Sequence, residues 1–143
     1  MAIAAESLTL GAAIEFLKPA TDFVRRGASH AGLTGERLGV VELVIEELFM
    51  NVANHAYPSS AKGCVDITWS VPKPGLLTIE ITDQGTGFDP LSKEAPGLAD
   101  SLDDRPIGGL GIFLVRQMTT SLEYRRDGGR NRLRFEISAS SDD

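Results

Sequence analysis

The stretch from Gly35 to Ala56 constrains this chain more than any other. Val40, Val41, Leu43, Val44, Ile45, Leu48, Phe49, Met50, Val52 and Ala53 make it apolar around most of a helical circumference. A helix of that kind has to be covered on more than one side. The same segment carries a polar stripe, because Glu47, Asn51 and His55 follow at successive i, i+4 steps with Asn54 beside them, and residues four apart share one helix face. Polar groups on a buried helix need partners, since an unpaired one costs about 1–3 kcal/mol. An amide and a carboxylate one turn apart suit a hydrated Mg2+, which takes oxygen ligands and keeps several waters. The carboxylate alone suits a general base. A stripe that simply faces solvent satisfies the pattern equally well. Glu46 is the competing carboxylate, but it points about 100° away from Glu47 around the helix, and Glu47 is the one a turn from Asn51.

The rest of the chain reads as the cover for that helix. A short edge strand is expected over residues 6–10. A second amphipathic helix is expected over residues 12–31, with Ala12, Ile14, Phe16, Leu17, Ala20, Phe23 and Val24 on its apolar side. Pro19 bends or restarts this helix, Gly32 stops it, and Thr34 is the expected N-cap of the long helix. Two strands follow, over residues 64–71 and 77–82, alternating apolar with polar and joined through Pro72-Lys73-Pro74-Gly75. A helix over about residues 110–119 leads to a second hairpin, residues 121–126 and 132–138, turning at Asp127-Gly128-Gly129.

The chain has 143 residues, which suits one domain over residues 1–143 with one core. Its formal net charge of −6 argues against nucleic acid as the main partner, since phosphate backbones need clustered Lys and Arg. Cys64 stands alone, so no intrachain disulfide forms, and a reducing compartment is the simpler setting. In an alternating strand it is expected to be a small buried or half-buried residue. The N-terminus lacks the basic and long apolar regions of a signal peptide. No apolar run approaches the ~18 residues that a membrane span needs.

Two glycine-bearing stretches carry chemistry beside the helical stripe. Asp83-Gln84-Gly85-Thr86-Gly87-Phe88 comes straight after a strand. Alternate glycines allow close backbone approach to a flat ligand, and an ionised Asp only accepts hydrogen bonds, as reading an exocyclic amine requires. A plain turn uses the same residues. Gly108-Gly109-Leu110-Gly111-Ile112 opens a helix, and free N–H groups at a helix start bind phosphate. A flexible helix start is the other reading. No Gly-Lys-Ser/Thr of a Walker loop is present.

Taken in order, Glu47-x-x-x-Asn51, Asp83-x-Gly85-x-Gly87 and Gly109-x-Gly111 resemble the N, G1 and G2 boxes of the GHKL ATPases. The resemblance runs from the long helix to the last strand. The short length, the run 51–57 and the run 108–114 are most similar to the stand-alone anti-sigma factor serine/threonine kinases. The resemblance implies an α/β (α+β) two-layer sandwich: a mixed, mostly antiparallel sheet covered on one face by helices, with an ATP lid over residues 91–106. It further implies ATP and Mg2+, with Asn51 on the metal, Glu47 as base and Asp83 reading adenine. Gly85 and Gly87 shape the base pocket and Gly109 and Gly111 face the phosphates, with Phe88, Gly108, Leu110 and Ile112 also among the nucleotide-binding residues. Asn54 and His55 belong at the pocket edge, and Arg105 at the end of the lid reaches a phosphate or is solvated.

Many relatives carry a Thr in the last hairpin that contacts phosphate. Here Gly129-Arg130-Asn131-Arg132 stands there, and Asn131 is the substitute on offer. The implied activity is transfer of phosphate to a Ser or Thr of a STAS-type antagonist, by a cytoplasmic homodimer that also silences a sigma factor. The second reading is a nucleotide-gated module that sequesters its partner with little turnover. The catalytic half of a histidine kinase fits less well, since His30 and His55 are the histidines available and neither lies in a separate helical hairpin.

Overall fold

The computed structural model describes residues 4–56, 63–85 and 115–139. The strands are β1 (Ala4–Gly11), β2 (Cys64–Lys73), β3 (Leu76–Asp83), β4 (Thr120–Asp127) and β5 (Arg130–Ser138). The helices are α1 (Leu17–Ala31), entered through a 3-10 turn at Ile14–Phe16, and α2 (Glu36–Asn51), which runs on into a π-helical turn at Val52–Ala56. Residues 115–118 are helical as well. The sheet order is β1-β2-β3-β5-β4, and every described pairing is antiparallel. This is the two-layer arrangement anticipated, with an antiparallel sheet and two helices packed on it. The parallel component expected of a mixed sheet is absent among the described residues.

Local chemistry explains most element boundaries. Pro19 falls in the first turn of α1, where a missing N–H leaves no bond unmade, so the chain starts its α-helix there instead of kinking. Gly32, at φ 84°, caps α1 in the left-handed region, and its N–H turns back to the Ala28 and Ser29 carbonyls. Leu33 N–H also reaches the Ala28 carbonyl at 2.9 Å, completing a glycine C-cap. Thr34 is not the N-cap of α2. That position belongs to Gly35, at φ 56°, with no side-chain cap, because the chain turns there through a conformation that disfavours a Cβ. Both hairpins close through tight glycine turns, at Gly75 with φ 84° and at Gly128 and Gly129 with φ 59° and 79°. The paired positive φ values are those of a type I′ turn, whose twist matches the strands it joins.

Alternation along β2 sends Val65, Ile67, Trp69 and Val71 into the core and leaves Cys64, Asp66, Thr68 and Ser70 on the opposite face. Cys64 is exposed, contrary to the expectation of burial, because it begins β2 on that outward register. The core between sheet and helices holds Trp69, Phe49, Phe135, Ile45 and Ile79, all fully buried. Gly27 of α1 presses against the indole: a Cβ there would lie 2.6 Å from Trp69 Cδ2. Gly27→Ala is therefore expected to lower the melting temperature. Ala gains about 1 kcal/mol over Gly in helix propensity, but overpacking a filled core costs about 1–3 kcal/mol. Calorimetry decides the sign, and a rise would mean that Trp69 has room to yield.

Candidate functional site

Asp83 closes β3 on the register of Ile79 and Ile81, so it faces the helix-covered side of the sheet, and it is 6% exposed. A buried carboxylate needs donors. The Gly85 N–H supplies one to Oδ1 at 2.8 Å, a local Asx-type turn that sets the course of the chain leaving β3. The second comes across the sheet. β5 inserts beside β3 and puts Asn131 directly opposite Asp83, and Asn131 Nδ2 donates to Oδ1 at 2.9 Å. Both described bonds fall on one carboxylate oxygen, and Oδ2 takes no bond among the described residues.

Asn131 is itself held from β4. Its Oδ1 accepts from Tyr124 Oη at 2.5 Å and from an Arg126 guanidinium nitrogen at 3.0 Å. The same Arg126 nitrogen donates to the Gly85 carbonyl at 2.8 Å. A guanidinium only donates and an ionised carboxylate only accepts, so the amide has one consistent orientation: oxygen toward Arg126 and Tyr124, nitrogen toward Asp83. Tyr124 and Arg126 escaped the sequence reading. Their available signal was position, since in a two-residue hairpin at Gly128-Gly129 Arg126 must lie opposite Asn131.

The second group lies on α2. Glu47 is half-buried whereas Glu46 is exposed. Glu47 and Asn51 are both within the α-helical part, Asn51 being its last residue, so the i, i+4 relation holds. Beyond Asn51 the backbone becomes π-helical, so the step to His55 is not an α-helical one. Such turns recur at functional sites. Asn54 is exposed. Asn51 Nδ2 is buried without a hydrogen-bond partner among the described residues, a state that costs about 1–3 kcal/mol until something accepts from it. A half-turn of the amide presents its oxygen instead and gives up no bond from Nδ2. The residue thus fits an oxygen-preferring, hydrated divalent cation.

The structure joins Asp83, Gly85 and Asn131 into one hydrogen-bonded cluster and keeps Glu47 with Asn51 on one helix face. Gly87, Phe88, Arg105, Gly108, Gly109, Leu110, Gly111 and Ile112, with the lid, lie outside the described residues.

A five-stranded antiparallel sheet with two helices packed on it is the histidine kinase-like fold. A histidine kinase domain from the blue-light-activated histidine kinase of Erythrobacter litoralis EL346 superposes with a TM-score of 0.54 at 18% identity, covering 86% of this chain and 61% of that one. The chain belongs to the histidine kinase-like ATPase domain family, whose model matches residues 10–137. Membership implies ATP binding.

Among relatives, it is 32% identical over 91 residues to the serine/threonine-protein kinase BtrW of Bordetella bronchiseptica, covering 64% of this chain and 63% of that kinase. It is 28% identical to the serine-protein kinase RsbW of Halalkalibacterium halodurans, over 85% of this chain and 76% of the relative. It is 26% identical to the anti-sigma F factor of Clostridium acetobutylicum, over 72% of this chain and 71% of the relative. The chain therefore spans less than two thirds of the Bordetella kinase. No helix among the described residues is long and apolar enough to cross a membrane.

Proposed function

We propose that the chain is an ATP- and Mg2+-dependent serine/threonine protein kinase that acts as an anti-sigma factor and phosphorylates a STAS-type antagonist in a partner-switching circuit. The observation that carries this reading is the pairing on α2 of a half-buried Glu47, which has no hydrogen bond or ion pair among the described residues, with an Asn51 whose buried Nδ2 has no hydrogen-bond partner among them. Relatives named as serine kinases and as an anti-sigma factor support it.

In this reading Asp83 accepts a hydrogen bond from the adenine amine. Gly85 and Gly87 keep the backbone close to the base beside Phe88. The amides at Gly108, Gly109, Leu110, Gly111 and Ile112 take the phosphates, with Arg105 adding charge. Asn51 holds Mg2+, which supplies charge neutralisation on the phosphates. Glu47 takes the proton of the attacking hydroxyl. Phosphoryl transfer asks mainly for positioning and charge stabilisation, so a small pocket suffices. The acting form is a cytoplasmic homodimer, with the sigma factor as its second partner.

The test incubates the protein with ATP, Mg2+ and a STAS-type antagonist from the same genome. One phosphate on an antagonist Ser or Thr, lost when Mg2+ is chelated, is the expected result by mass spectrometry. An unmodified antagonist beside protein that binds ATP would leave the chain a nucleotide-gated binding module.

A further inference from the structure

We infer that Arg126 is a positioning residue for nucleotide affinity: its bond to the Gly85 carbonyl sets the backbone leaving Asp83 on its binding course before a nucleotide arrives. The inference rests on Asp83 and Gly85 forming the base side of the ATP site.

A glycine has no Cβ to narrow its φ and ψ, so a glycine kept in one conformation is kept there by its peptide groups. Gly85 is buried, and both of its peptide groups are tied. Its N–H donates to Asp83 Oδ1 at 2.8 Å, and its carbonyl accepts from Arg126 Nη1 at 2.8 Å. The two ties fix different planes. The N–H belongs to the peptide entering Gly85 and the carbonyl to the peptide leaving it, with φ and ψ of Gly85 between them. The Asp83 carboxylate therefore fixes the first plane and leaves the second free to swing. Gly85 makes no other hydrogen bond among the described residues, so among them Arg126 is what anchors the second plane.

The anchor comes from a distant element. Arg126 is 41 positions from Gly85, near the end of β4 at the edge of the sheet. The same nitrogen donates to Asn131 Oδ1 at 3.0 Å, and a terminal guanidinium nitrogen carries two N–H groups, one for each acceptor. Asn131 keeps its own tie to Asp83 at 2.9 Å, since an acceptor-only carboxylate holds that amide by itself. Removing the guanidinium therefore frees chiefly the Gly85 carbonyl. A buried carbonyl without a partner is costly, and the backbone relieves the cost by turning about Gly85. A nucleotide that meets the loosened turn has to order it on binding, and affinity falls by that ordering cost. Once the nucleotide is seated the course is restored, so transfer from bound ATP keeps its rate. Arg126 is exposed on an edge strand, so its removal leaves the core intact.

The test measures Kd for ATP and for ADP by titration calorimetry on the wild type and Arg126→Ala, together with KM and kcat for phosphoryl transfer. Arg126→Ala is expected to weaken ATP and ADP by the same factor, about tenfold, the scale of ordering one residue's backbone. KM for ATP rises with it, while kcat at saturating ATP stays within about twofold. Unchanged affinity for ATP overturns the inference, whatever the melting temperature does. A loss confined to ATP overturns it too, because it would make Arg126 a contact to the terminal phosphate, and so does a fall in kcat with KM unchanged. If Arg126→Ala does not fold, Arg126→Met keeps the aliphatic stem without the donors, and the same outcomes decide. A wild type that binds neither nucleotide overturns the base-site reading itself. A wild type that binds ATP and transfers nothing overturns the kinase reading, and the two Kd comparisons still decide the inference.

Discussion

Glu47→Ala is expected to slow phosphoryl transfer to the antagonist by about 10²–10⁴-fold, the usual contribution of a positioned base, while Kd for ATP stays within about threefold. The separation follows from where Glu47 stands. Its carboxylate is half-buried on α2 and has no hydrogen bond or ion pair among the described residues, so truncation leaves no partner orphaned. Ala is also the better helix former, and the melting temperature should hold or rise. Glu46→Ala is the control. That side chain is exposed one position earlier and its loss should leave transfer unchanged. Quench-flow assays with radiolabelled ATP measure transfer, and titration calorimetry measures binding. Wild-type transfer by Glu47→Ala would remove Glu47 from the chemistry. Unaltered sequestration of the sigma factor by this variant, with no transfer by either protein, would favour the binding module.

Asp83→Asn is expected to weaken ATP binding by about 10–100-fold, the range for losing a hydrogen bond to a charged group, with little loss of stability. Both described intramolecular donors, Gly85 N–H and Asn131 Nδ2, fall on a single oxygen at 2.8 and 2.9 Å. An asparagine can keep that oxygen and place its NH2 where Oδ2 stood. The protein then retains its own bonds while the ligand-facing atom changes from acceptor to donor and opposes the adenine amine. Asp83→Ala is a cruder probe, since it removes the acceptor of both the Gly85 N–H and Asn131 Nδ2 bonds and is expected to lower both affinity and melting temperature. Full-affinity ATP binding by Asp83→Asn would show that the base is read elsewhere.

The elements were legible where the signal is local. Alternation marked β2, β3 and β5, the apolar run marked α2, and Gly32, Gly75 and Gly128-Gly129 marked turns that need positive φ. Glu47 and Asn51 could be paired from spacing alone, because one turn of helix is a property of consecutive residues. Thr34 misled because a good capping side chain competes with a backbone course that requires Gly35. The π-helical turn after Asn51 carried no compositional mark.

The base-side cluster could not be read in the same way. Asp83 and Asn131 are 48 positions apart, and they meet because β5 enters the sheet between β3 and β4. The residues and their hydrogen-bonding capacities (an acceptor-only carboxylate, a two-sided amide, a donor-only guanidinium) were present in the chain from the start. Strand order and register then selected which capacities face one another. An amide that the family resemblance offered as a substitute phosphate contact donates, in the folded protein, to the aspartate across the sheet, because cross-strand pairing is a choice among distant segments that short-range periodicity does not encode.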